Sequence, residues 1–160
     1  KRQTLGNDWF DLNREKKHEW VDKTLSDLNK ETKEAEANGG KMHPLQLALD
    51  VQEAIGENDW LVIDGGNTHF WSEIAINIAG SKGKKMGGIL HPGTFSMLGV
   101  GVPFALSAKN TNPNSKVILI SGDGAFLSGG LSIEAAFQEN KPIIVVIDNN
   151  GGLDLSLIHI

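Results

Sequence analysis

Three short segments of this 160-residue chain combine glycine with oxygen-bearing side chains: Asp64-Gly65-Gly66-Asn67, Gly122-Asp123-Gly124 and Asn149-Asn150-Gly151-Gly152. Glycine lets a backbone approach a ligand closely, and main-chain N–H groups beside a helix start favour phosphate. The side-chain donors are hard: a carboxylate at Asp123 and an amide oxygen at Asn150. Mg²⁺ takes such donors, commonly one or two from protein, with phosphate and water completing its octahedron. A metal-bridged diphosphate suits this set. Nothing in the three loops suits zinc, and with no cysteine there is neither a thiolate site nor a disulfide.

A Gly-Asp-Gly turn or an Asn-Asn pair is, on its own, an ordinary loop. Position makes these informative. Each follows a short aliphatic run that reads as a buried strand: Trp60–Ile63, Val117–Ile120 and Ile143–Ile147. Helical patterns lie between them. Pro44 suits a first turn, and Leu45, Ala48, Val51 and Ile55 recur at helical spacing up to Gly56. Phe70–Ile78, Val100–Ala108 and Leu131–Glu139 read as further helices. Alternation with fully apolar strands predicts an α/β fold, an open parallel sheet with helices on both faces. In such sheets ligands bind outside the carboxyl ends of the strands. The 24 residues between Gly124 and Asn149 hold one helix and one strand, so the two loops are expected side by side.

The first 41 residues differ, with 9 of the 15 Lys/Arg and 9 of the 20 Asp/Glu. Asn13–Asn38 reads as one helix with Trp20, Val21, Leu25 and Leu28 on a single stripe, stopped by Gly39-Gly40. The expected organisation is a charged helical linker from a preceding domain over 1–41, the ligand-binding domain over 42–154, and a short tail. The chain opens on Lys1 rather than methionine, in keeping with a piece of a longer protein. A net charge of −5 without a basic stripe argues against nucleic acid as a partner. No apolar run is long enough for a membrane span and no signal peptide opens the chain, so a cytoplasmic protein without a membrane partner is expected.

With Gly122-Asp123-Gly124 and Asn149-Asn150 at this spacing, the chain resembles the thiamine diphosphate enzymes of the acetolactate synthase and pyruvate decarboxylase superfamily. The resemblance takes in GTFSMLGVGVPFALSAK at 93–109 and DGGNTHFW at 64–71, and covers roughly residues 42–154. It implies thiamine diphosphate and Mg²⁺ as cofactors and leaves FAD open in the parent enzyme. It implies Asp123, the Asn150 side-chain oxygen and the Gly152 carbonyl as Mg²⁺ ligands. Gly122, Gly124 and Ala125 are implied to wrap the diphosphate, with Gly66, Asn67 and Thr68 on its other side. Ser96 and Leu98 match the loop that supports the cofactor's ring end, with Met97 as the second choice for the apolar prop. For the whole enzyme the resemblance implies decarboxylation and carboligation of a small 2-oxo acid, acetolactate synthase-like, in a homodimer or homotetramer with shared active sites. A 2-hydroxyacyl-CoA lyase or oxalyl-CoA decarboxylase shares the fingerprint. A non-catalytic nucleotide- or Mg²⁺-binding regulatory module is the alternative of another class.

No catalytic residue is assigned within the chain. The family's activating glutamate belongs to a different domain, expected N-terminal to Lys1, so the fragment alone is expected to be inactive. Glu73, Glu134 and Glu139 read as helix-surface residues. His18 reads as a solvated helix position and His43 as the residue leading into the next helix, while His69 and His91 fall in or beside the ligand loops. Leu155–Ile160 departs from the family pattern. Its back-translation resembles a transposon end used in sequencing libraries, so residues 155–160, His159 included, are expected to be adaptor read-through.

Overall fold

The computed structural model describes residues 7–152. They fall in two compact units divided after His43. The first holds a single long helix, α1 (Asn7–Ala37), which starts six residues before the expected Asn13. Val21 and Leu28 are its buried positions, whereas Trp20 of the expected stripe is exposed. His43 pairs with Glu31 of this helix at 3.3 Å. The tail from Leu155 lies outside the described residues. Among these residues, no helix is long and apolar enough to cross a membrane.

The second unit is an α/β domain. Its helices are α2 (Pro44–Ala54), α3 (Asn67–Ser81), α4 (Gly101–Thr111), α5 (Asp123–Gly129) and α6 (Ile133–Gln138). Its strands are β1 (Trp60–Ile63), β2 (Gly88–Leu90), β3 (Val117–Gly122) and β4 (Ile144–Asp148), all parallel, in the order β2-β1-β3-β4. Successive strand residues face opposite ways. Val62, Val117 and Leu119 pack with Val102, Ala105 and Ala108 of α4, while Leu61, Ile63, Ile118 and Ile120 build the other buried face. The chain moves from β1 outward to β2, then crosses back over β1 to β3. With right-handed crossovers, this reversal puts α3 on one face and α4 to α6 on the other. It also makes the gap between the ends of β1 and β3 the switch point of the sheet.

Two elements depart from the sequence reading. The stretch after Gly122 forms helix α5, which its two glycines and the preceding Gly122 disguise as a loop. β4 is the expected strand shifted by one residue, but it is not a buried one: Ile144 and Ile147 are exposed. β2 has only three residues and gives almost no periodic signal.

Asp59 fixes the amino-terminal edge of the sheet. Its carboxylate accepts the N–H groups of Gly56 (2.9 Å) and Lys116 (3.1 Å) and pairs with the Lys116 ammonium at 3.1 Å. The Trp60 N–H reaches the Lys116 carbonyl and the Gly87 N–H reaches the Asp59 carbonyl, so the starts of β1, β2 and β3 are joined there. Burial alone would raise this carboxyl; the Gly56 N–H and the Lys116 ammonium and N–H outweigh it and hold the carboxyl below its usual range. A folded-state value below the unfolded one, about 3.9, stabilises the fold above that pH and is lost as pH falls through the folded value. In urea titrations the parent should therefore exceed Asp59→Asn in stability at pH 7, with the gap closing below about pH 4. A gap independent of pH would contradict this account.

Candidate functional site

At the switch point lies a cleft lined by Gly65, Gly66, Asn67 and Thr68 after β1, by Gly122 to Ala125 after β3, and by Asp148, Asn150 and Gly152 at the end of β4. Pro44, Trp71 and Leu98 complete the wall. Ten of the sequence-derived residues thus meet in one place: Gly66, Asn67, Thr68, Leu98, Gly122, Asp123, Gly124, Ala125, Asn150 and Gly152. Ser96 and Met97 are outside this lining, and Met97 is largely exposed. Ser96 touches the site indirectly, because its Oγ accepts the Gly66 N–H at 2.9 Å.

The local chain path explains how these loops come together. A Cβ at Gly65 would collide with the carbonyl oxygens of Ser96 and Met97, so only glycine lets the β1 loop and the 93–99 segment touch. Gly66 has φ +94° and precedes α3, whose first turn carries no side-chain cap. Helix starts leave N–H groups without intrahelical acceptors and carry partial positive charge, so an uncapped one at a cleft suits an anion. Ser96 itself is left-handed (φ 45°, ψ 42°), a conformation costing a non-glycine residue about 1–3 kcal/mol. Its hydrogen bond to Gly66 offsets part of that cost.

On the other wall, Asp123 Oδ1 accepts the Gly124 N–H at 2.7 Å and Oδ2 accepts the Gly151 N–H at 3.1 Å. Asn150 Oδ1 accepts the Gly152 N–H at 3.1 Å. The two segments predicted to be neighbours are joined by a direct hydrogen bond, and both oxygens sit at the cleft.

Two aspartates that the sequence reading left without a role belong to this region. Asp148 lines the cleft and accepts from Thr68 Oγ1 at 3.3 Å. Asp64, fully buried, accepts the N–H groups of Gly65 (2.9 Å), Gly99 (2.9 Å) and Val100 (3.2 Å) on Oδ1 and the Ser121 hydroxyl (3.0 Å) on Oδ2. It positions the cleft rather than lining it. A signal was present in the sequence: β1 and β4 both run out in Val-Ile-Asp, at 62–64 and 146–148.

The donor set bears directly on which ligand fits. Two carboxylates, Asp123 and Asp148, face the cleft, and among the described residues lining it none is basic. A diphosphate cannot be neutralised by these side chains. A divalent cation between the carboxylate and the phosphates can do so, and Mg²⁺ favours oxygen donors of the kind at Asp123 and Asn150. The residues present therefore fit a cation-bridged diphosphate.

Fold and cleft together define a parallel α/β domain with an oxygen-lined crevice at its switch point. Residues 64–156 match the family described as thiamine pyrophosphate enzyme, C-terminal TPP binding domain. The chain is 29% identical over 125 residues to the catabolic acetolactate synthase of Raoultella terrigena, covering 78% of this chain and 22% of that protein. It is 32% identical over 111 residues to human 2-hydroxyacyl-CoA lyase 2, with 69% and 17% covered. With the acetolactate synthase of Bacillus subtilis it shares 26% identity over 144 residues, with 83% and 23% covered. The chain spans about a fifth of the length of these curated relatives. It belongs to the thiamine pyrophosphate enzyme family, as the C-terminal TPP binding domain.

Replacing Asp64 by asparagine keeps the size but turns one acceptor oxygen into a donor facing other donors. Asp64→Asn should lower stability by about 2–3 kcal/mol, seen as a lower urea midpoint with an unchanged slope. An unchanged midpoint would remove Asp64 from its positioning role.

Proposed function

We propose that this chain is the diphosphate- and cation-binding part of a thiamine diphosphate-dependent enzyme acting on 2-oxo acids by decarboxylation and carboligation, acetolactate synthase-like. The observation that carries the reading is the cleft itself, which sets two carboxylates, an amide oxygen and an uncapped helix start around one crevice with no basic side chain. When bound, thiamine diphosphate supplies a nucleophilic carbon and an electron sink. The residues of this chain bind and orient it. Asp123, the Asn150 amide oxygen and the Gly152 carbonyl would hold Mg²⁺. The main chain at Gly122, Gly124 and Ala125 would hold the diphosphate from one side, and Gly66, Asn67 and Thr68 from the other. Leu98 offers the apolar surface against which the ring end rests, with Ser96 and Met97 fixing the loop that carries it.

A 2-hydroxyacyl-CoA lyase activity of the whole protein is the second reading, supported by the 32% identity with human 2-hydroxyacyl-CoA lyase 2. Self-association belongs to either proposal: Leu127, Leu131 and Phe137 expose large apolar side chains across α5 to α6, with Leu131 at 92% and Phe137 at 84%. Large apolar groups exposed on consecutive elements suit an interaction surface.

Calorimetry tests the assignment. The chain titrated with thiamine diphosphate should bind it in Mg²⁺ and not in chelator, and Asp123→Ala should weaken binding at least about 100-fold, roughly 2.7 kcal/mol. Binding that persists in chelator, or that ignores Asp123→Ala, would reject this site.

A further inference from the structure

A second group of ligand atoms converges beside the cleft, two imidazole nitrogens and one carboxylate oxygen. His69 and Glu73 stand one turn apart on α3, and His91 lies just after β2. His69 Nε2 is 3.0 Å from His91 Nδ1 and 3.4 Å from Glu73 Oε1, and His91 Nδ1 is 3.7 Å from the same Oε1. These three atoms, one from each residue, form a compact triangle. Around a tetrahedral cation with ligand bonds of about 2.0–2.1 Å, neighbouring ligand atoms are about 3.3–3.4 Å apart. The triangle's edges, 3.0, 3.4 and 3.7 Å, bracket this value.

The surroundings suit a metal as well. His91 Nδ1 accepts the Gly93 N–H at 3.3 Å, a bond that a cation taking the same lone pair would replace. The other ring nitrogen of His69, Nδ1, is 3.4 Å from Ser96 Oγ. A histidine that gives one nitrogen to a metal typically donates the other N–H to such a partner, which fixes the ring.

We propose that His69, Glu73 and His91 form a binding site for a divalent transition cation of the zinc class, with a fourth position open to solvent. Two imidazoles and one carboxylate select such a cation over Mg²⁺. The site is separate from the Asp123 and Asn150 oxygens and does not depend on the cofactor reading. Its consequence is mechanical, since it would clamp the start of the 91–99 segment, which carries Ser96 and Leu98, to α3. Glu73 stays at the helix surface, as read from the sequence, and would gain its ligand role only through the fold, which brings it beside His91, 18 positions further along the chain.

The test is zinc calorimetry on the full chain after chelator treatment, in excess Mg²⁺ so that the oxygen-lined cleft is saturated. One Zn²⁺ per chain should bind, and His69→Gln, His91→Gln and Glu73→Gln should each weaken binding at least about tenfold. Glu73→Gln changes a half-exposed position on a helix, so it keeps the test valid even where a histidine variant misfolds. Zn²⁺ should also raise the melting temperature of the parent and not of Glu73→Gln. No zinc uptake, or a loss below tenfold in Glu73→Gln, overturns the proposal.

Discussion

The cleft depends on one buried charge. Asp64 sits at the end of β1 with almost no exposure, and a carboxylate removed from water costs several kcal/mol unless donors replace its hydration. Those donors come from three separate places: its own loop, the segment before α4, and the end of β3. The charge is stable only when all three converge, and their convergence is the shape of the site. The 93–99 segment is thereby drawn against Gly65, and Ser96 is drawn into its left-handed conformation above Gly66. Asp59 does the corresponding work at the opposite end of β1, so an aspartate brackets the strand on each side.

Much of this was legible in the sequence because it rests on local pattern. Uninterrupted aliphatic runs such as Val117–Ile120 identify buried parallel strands whatever surrounds them, and one helix and one strand between Gly124 and Asn149 leave few ways to arrange the two loops. The less legible features depend on partners distant in the chain. β4 reads as buried from its composition, yet its exposure is decided by what packs on it. Helix α5 follows a glycine-rich turn whose propensity points the other way, and its position against α4 and β3 prevails. Asp64 reads as a loop residue because its partners at Gly99, Val100 and Ser121 are found only in three dimensions.

The two clusters near the switch point illustrate how one loop path serves different chemistry. Oxygen donors gather where β3 and β4 end, because parallel pairing aligns Gly122 with Asp148. Nitrogen donors gather where α3 begins, because the return from β2 passes over its first turn. Ser96 stands between them, accepting from Gly66 on one side and facing His69 on the other. Whatever fixes this residue is felt in both clusters.

β4 gives the cleft an unequal construction. Among the described residues it pairs only with β3, and its outer side chains are little covered. Yet Asp148, Asn150 and Gly152 all hang from its end. One wall thus follows the buried strand β1, and the other hangs from a strand with exposed side chains. A ligand spanning both walls joins residues some 85 positions apart in the chain, from Gly65 to Gly152. Binding across the crevice and the seating of β4 are therefore linked, each stabilising the other.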